Sequence, residues 1–161
     1  MIALALILRP ALVLADEPTT ALDVTVQAEV ISTFRAVIEH TETSLLLVTH
    51  DLGVVAGLCD SVMVMYAGRT VERASANEIF ASPAHPYTRA LLECLPRADR
   101  PRGTRMLSIA GQPPDLAALP AGCAFAPRCV HANEVCMQRS PVLKPSGPQR
   151  AVACLHAGLV S

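Results

Sequence analysis

Leu12-Val13-Leu14-Ala15-Asp16-Glu17-Pro18-Thr19-Thr20-Ala21-Leu22-Asp23 is the most informative segment of the 161-residue sequence. Four apolar residues run without interruption into two adjacent carboxylates, a proline, and a short turn closed by a third acid. An apolar run of this length suits a strand buried on both faces of a parallel sheet. The acids then fall at the carboxyl end of that strand, where open α/β sheets place their ligands. Two neighbouring carboxylates suit a metal-and-water site, one serving Mg²⁺ and one an attacking water. A solvated acidic strand end is the structural alternative.

The residues after this stretch extend the pattern. Asp23 is placed to cap a helix over 24–39, in which Val26, Val30, Phe34, Val37 and Ile38 recur at helical spacing and predict one buried face. After a polar turn, Leu45-Leu46-Leu47-Val48 predicts a second buried strand, with Thr49-His50-Asp51 at its carboxyl end. Two parallel strands joined by one helix form a βαβ unit with both polar ends on one rim. That topology predicts His50 near Asp16 and Glu17 in space. Upstream, Met1 to Leu8 reads as the back part of a helix with no start signal, ended at Arg9-Pro10.

Downstream, a short helix is expected over 51–58, then a hairpin of strands 61–66 and 69–73 turning at Ala67-Gly68. Ser75-Ala76-Asn77-Glu78 has the form of a capping box. His85-Pro86-Tyr87 leads a further helix over 87–95. Nine of the 13 prolines lie from Pro96 onward, and 96–105 reads as a polar, basic linker. The expected organisation is an α/β part over 1–95, the linker 96–105, and a proline- and cysteine-rich part over 106–161.

Composition narrows the class. Of 161 residues, 52% are hydrophobic but only 3% aromatic, so aliphatic side chains must build the core. A net charge of −1 with scattered signs argues against a nucleic-acid surface or a polybasic membrane patch. No run reaches the ~18 apolar residues of a spanning helix. The amino-terminal segment lacks a basic leader, so a cytosolic chain is expected, reaching a membrane only through a protein partner.

Taken together, these motifs resemble the ATP-binding subunits of ABC transporters. Residues 12–18 look like the Walker B strand, Ala21-Leu22-Asp23 like the D-loop, and Val48-Thr49-His50-Asp51 like the switch histidine. Val64-Met65-Tyr66-Ala67-Gly68-Arg69, His85-Pro86-Tyr87-Thr88-Arg89-Ala90-Leu91, Gly111-Gln112-Pro113-Pro114-Asp115 and the segment around Cys123, Phe125-Ala126-Pro127-Arg128-Cys129 and Cys136 narrow the likeness to oligopeptide/dipeptide importers. The resemblance implies the P-loop NTPase fold, present in part, with ATP and Mg²⁺ as cofactors. It implies that Asp16 holds the Mg²⁺ through a water, Glu17 is the general base, His50 contacts the γ-phosphate, and Asp23 crosses to a second ATPase subunit. It further implies transmembrane permease partners, an extracytoplasmic peptide-binding protein acting indirectly, and a peripheral place on the inner face of the plasma membrane.

No G-x-x-x-x-G-K-S/T occurs in the 161 residues, nor an LSGGQ-like signature or Q-loop. The chain therefore resembles the second half of such a subunit and is expected neither to bind ATP usefully nor to hydrolyse it alone. The alternative is a non-catalytic regulatory or docking module.

Four of the six cysteines, Cys123, Cys129, Cys136 and Cys154, fall in the tail with five, six and 17 residues between them. That spacing is atypical for zinc, and a cytosolic setting disfavours disulfides. Four thiolates on a 4Fe–4S cluster are chemically sensible, and the resemblance implies such a cluster. His131 and His156 are candidate ligands. Idle thiols are the structural alternative, and Cys59 and Cys94 read as small buried residues.

Overall fold

The computed structural model describes residues 2–96 and 108–157, which divide into two compact units, 1–59 and 60–161. The fold is mixed α/β. In the first unit, α1 (Ile2–Leu6) precedes β1 (Leu12–Asp16), α2 (Val24–His40), β2 (Ser44–Val48) and α3 (Leu52–Leu58). β1 and β2 pair in parallel, Leu12 opposite Ser44 through Asp16 opposite Val48, so the βαβ unit forms as the apolar runs predict. Asp23 caps α2 by accepting the Thr25 and Val26 N–H groups. Asp51 caps α3 through Gly53 and Val54.

Burial differs from the expectation. β1 alternates: Val13 and Ala15 are buried, whereas Leu12 and Leu14 on the other face are exposed, Leu14 at 70%. β2 likewise exposes Leu46 and Val48. In α2 only Phe34 is buried, Val26 is exposed, and Val30, Val37 and Ile38 are half-buried. The apolar run reports a two-faced strand, but among the described residues the sheet has two strands and only one face is covered.

The second unit is built on a four-stranded antiparallel sheet. β3 (Ser61–Tyr66) and β4 (Arg69–Ser75) form the predicted hairpin, and β4 then pairs β6 (Ala151–Val152), which pairs β5 (Lys144–Pro145). The hairpin turns through Ala67 and Gly68 with φ of 48° and 74°. Positive φ at both central residues matches the right-handed twist of the strands, and glycine takes it without strain. Ser75 ends β4 and opens α4 (Ala76–Ala81) with the full capping box to Glu78. α5 (Pro86–Glu93) starts on His85, and α6 (Glu134–Gln138) follows a single 3₁₀ turn at Ala126–Arg128.

A bulge shifts the β3–β4 register at Val64/Met65, pairing Val64 with Glu72 and Met65 with Thr70. Val71 is thereby the extra residue, and consecutive Val71 and Glu72 are both buried. The Val71 carbonyl accepts the Ala153 N–H at 2.8 Å, which ties the carboxyl-terminal segment to the hairpin. Residues 60–96 thus share one unit with the cysteine-bearing tail, where the sequence grouped them with the nucleotide-type strands. Of the expected linker 96–105, residues 97–105 lie outside the described residues.

Candidate functional site

The rim at the ends of β1 and β2 carries the first cluster. Parallel pairing brings Asp16 opposite Val48, and the Glu17 N–H extends the ladder by donating to the Val48 carbonyl at 2.8 Å. Glu17 itself adopts φ of 46°, a left-handed conformation that costs a non-glycine residue about 1–2 kcal/mol. Its carbonyl accepts the Thr20 N–H at 3.1 Å, so the chain turns immediately after the strand. The carboxylate is thereby directed to His50: Glu17 Oε1 lies 2.8 Å from His50 Nδ1, and Oε2 accepts the Thr20 hydroxyl at 2.7 Å.

The hydrogen bond and charge of Glu17 raise the His50 pKa above its ordinary 6.5, with the Asp51 carboxylate adding to the effect. Reciprocally, the His50 and Thr20 hydrogen bonds lower the Glu17 pKa below 4.5. Both groups stay open to solvent, with the His50 side chain 79% exposed. Asp16 is exposed beside them, and its side chain makes no hydrogen bond to the described residues. Its acceptor capacity is free, as a cation or its water shell requires.

Asp23 stands at the far end of the turn, where its Oδ1 accepts two α2 N–H groups at 3.0 Å. Of the four acids and bases singled out by sequence, Asp16, Glu17 and His50 therefore share the rim, and Asp23 is occupied as a cap. Two partners were not singled out. Thr20 follows Glu17 at the i+3 spacing of its turn, which is a readable signal. Gln27 bonds Asp51 Oδ2 at 2.6 Å from across the unit, and nothing local announces that contact.

The second cluster lies in the tail unit. Cys123, Cys129, Cys136 and Cys154 line one small cavity together with Phe125, Ala126, His85, His131 and His156. Gly122 makes this possible: a Cβ there would sit 2.2 Å from the Cys136 carbonyl oxygen, and the Cys123 N–H donates to that same oxygen at 2.8 Å. None of the six cysteines forms a disulfide. Burial raises the pKa of Cys123, Cys129 and Cys154, and the neighbouring cavity thiols add to it. Among the described residues no three His, Cys, Asp or Glu side chains are placed to hold a metal ion. Cys59 and Cys94 are half-buried, where the sequence predicted burial.

An aromatic cluster supports the cavity. Phe125 packs against Tyr66, Tyr87 and His85 with ring centroids 5.2, 5.3 and 6.1 Å apart, and Tyr66 and Tyr87 lie 4.6 Å apart. Arg128 donates to the Ile109 and Ala110 carbonyls and to the Tyr66 hydroxyl. Glu72, fully buried, accepts the Ala84 N–H at 2.8 Å and the His85 N–H at 2.9 Å. The segments around Tyr66, His85 and Cys123–Cys129, far apart in sequence, are therefore one packed assembly. Glu72 carried no signal in the sequence, and Arg128 stood out only as part of the segment 125–129 that carries the family resemblance.

That assembly coincides with a family match. Residues 71–136 match the family described as oligopeptide/dipeptide transporter, C-terminal region. The oligopeptide transport ATP-binding protein OppD of Salmonella typhimurium is 52% identical over 154 residues, covering 96% of this chain and 45% of that protein. OppD of Mycobacterium tuberculosis is 45% identical over 161 residues, covering all of this chain and 26% of that protein. A solved structure, cbiO1 from Clostridium perfringens, part of the ABC transporter complex cbiONQ, overlaps 48% of this chain and 31% of its own at a TM-score of 0.45 and 30% identity. The chain belongs to the oligopeptide/dipeptide family of ABC-transporter ATP-binding proteins. It spans less than half the length of these curated relatives. Among the described residues no helix is long and apolar enough to cross a membrane.

Proposed function

We propose that this chain supplies the hydrolytic half of the nucleotide site in an ATPase subunit that powers di- or oligopeptide import. The observation that carries the reading is the Glu17–His50 contact of 2.8 Å on the rim that Asp16 shares. Mg²⁺, when bound with ATP, supplies charge neutralisation at the β- and γ-phosphates. Asp16, the free carboxylate of the rim, is the residue that would hold that ion through a water. Glu17 accepts a proton from the attacking water, and its hydrogen bonds to His50 and Thr20 keep it ionised and oriented for that role. His50 holds Glu17 through Nδ1, and its other ring nitrogen is left to orient that water and contact the γ-phosphate. Asp23, at the outer end of the turn, faces a second ATPase subunit, and the assembly works with transmembrane permease subunits and, indirectly, an extracytoplasmic peptide-binding protein. Such an assembly works at the inner face of the plasma membrane.

The relatives named as OppD are oligopeptide transport ATP-binding proteins, which supports the substrate class. The sequence provides no phosphate-binding glycine loop, so the 161-residue chain alone is expected to show no measurable ATP hydrolysis. In a subunit that also carries that loop, Glu17→Gln should retain ATP binding and lower turnover by about 10²–10⁴-fold, the usual range for a general base. Near-normal hydrolysis by that variant refutes the assignment.

A second reading concerns the tail, and the shared cavity of four thiols favours it. Four thiols are the donor set that a 4Fe–4S cluster takes, one thiolate per iron. Cys123, Cys129, Cys136 and Cys154 would hold it, whether in a catalytic subunit or in a regulatory module without turnover. Iron and sulfide analysis of anaerobically purified chain tests this: about four of each per chain supports it, and none refutes it.

A further inference from the structure

Three histidines line the cysteine cavity, and they are not equivalent. His85 is committed on both sides: its Nδ1 accepts the Tyr87 N–H at 3.0 Å, and its ring also hydrogen-bonds the Ala153 backbone. His131 is exposed. His156 differs from both, because its Nε2 is buried with no hydrogen-bond partner among the described residues. A buried imidazole nitrogen without a partner is unfavourable and calls for one. The residue is already fastened to a thiol, since its backbone N–H donates to Cys154 Sγ at 3.4 Å. The acceptor that the four cysteines bring to this cavity is sulfur, which accepts hydrogen bonds from N–H groups when it carries thiolate or sulfide charge.

We propose that His156 donates its Nε2–H to a sulfur of the group held by Cys123, Cys129, Cys136 and Cys154, and so sets the reduction potential of that group. The inference rests on the cluster reading of the tail. Four cysteines already satisfy four irons, so His156 is a positioning and tuning residue rather than a ligand. A hydrogen bond to a cluster sulfur stabilises the more negative, reduced state and raises the potential. Removing it must lower the potential without emptying the site.

The test uses the full 161-residue chain, purified anaerobically and reconstituted with iron and sulfide. Iron and sulfide per chain are measured, and the midpoint potential is read by a redox titration followed in the visible spectrum and by electron paramagnetic resonance. His156→Phe is expected to keep the wild-type iron and sulfide content and to titrate at a lower potential. His156→Gln, which places an amide N–H near the position of Nε2, is expected to recover most of the wild-type potential. His156→Leu serves as a second apolar replacement should the phenylalanine prevent folding. An unchanged potential in a fully loaded apolar variant overturns the proposal. Loss of iron and sulfide from an apolar variant that folds makes His156 a ligand and overturns the donor role. A wild-type chain that takes up no iron or sulfide removes the cluster reading itself, and this inference with it.

Discussion

Glu17 Oε1 and His50 Nδ1 lie 2.8 Å apart although their residues are 33 positions apart in the chain. The parallel register of β1 and β2 is what joins them, because it sets Asp16 opposite Val48 and leaves the next residues to meet beyond the strand ends. The contact makes the rim electrostatically self-consistent before any ligand arrives.

A nuclear magnetic resonance titration of His50 should reveal that contact. Its folded pKa lies above 6.5 and that of Glu17 below 4.5. The His50 contribution to stability is present below its unfolded value and is lost as pH rises through the raised folded value. The Glu17 contribution is present above its unfolded value and is lost as pH falls through the lowered one. The charged pair is therefore intact between the two folded values. Glu17→Gln should bring the His50 pKa back toward its ordinary value. A His50 curve indifferent to that substitution rules the contact out. Both side chains are solvent-exposed, so the effect on global stability is small.

Asp23 has a structural duty that can be separated from any role toward a second subunit. Its carboxylate satisfies two otherwise unpaired α2 N–H groups. Asp23→Ala should destabilise the first unit by about 1 kcal/mol, and Asp23→Asn by much less. Amide exchange at Thr25 and Val26 reports it directly, and equal exchange in the wild type and the alanine variant contradicts the cap.

The βαβ unit was legible because its signals are local: two apolar runs, a capping aspartate between them, and polar residues after each run. The hairpin and the Ser75–Glu78 capping box were legible for the same reason. Burial on both faces of β1 was not, since the apolar run records an environment that the two described strands do not provide by themselves. The union of the hairpin with the tail was hidden because it depends on a bulge at Val64/Met65 and a two-residue strand at Ala151–Val152, both too short to leave a periodic signal. Glu72 illustrates the limit. A charged residue in a strand reads as solvent-facing, and only the bulge turns it inward onto the backbone before α5.

Glu72 is consequently a sharp test of the second unit. Glu72→Leu leaves the Ala84 and His85 N–H groups buried without an acceptor, at about 1–3 kcal/mol each. Denaturant unfolding should show a loss of about 2–6 kcal/mol, with Glu72→Gln intermediate because one acceptor oxygen survives. A leucine variant as stable as the wild type would mean these N–H groups find other partners.

His85 should make the same unit acid-sensitive. Burial lowers its pKa from 6.5 to about 4, so below pH 6.5 the unfolded chain binds a proton that the folded one refuses. Stability is full above pH 6.5 and falls as pH drops toward 4, by about 3 kcal/mol over the window. His85→Gln should flatten that slope, measured by denaturant midpoints across the window. A slope that persists unchanged in the variant assigns the acid sensitivity to other groups.

Gly122 is where the cysteine cavity is most vulnerable. A methyl group there would meet the Cys136 carbonyl at 2.2 Å and Met137 backbone atoms at 2.5 Å, so two backbone segments must separate. Overpacking costs about 1–3 kcal/mol where side chains can yield, and here only backbone can. Gly122→Ala should also break the Cys123 N–H bond to Cys136, because the same carbonyl is displaced. Cys136 is the one buried thiol of the four and should react slowly with a thiol reagent in the wild type. The variant should expose it and raise its labelling rate, while the pKa of His50 in the other unit stays unchanged. Labelling as slow as in the wild type would show that the close approach at Gly122 does not hold the cavity shut.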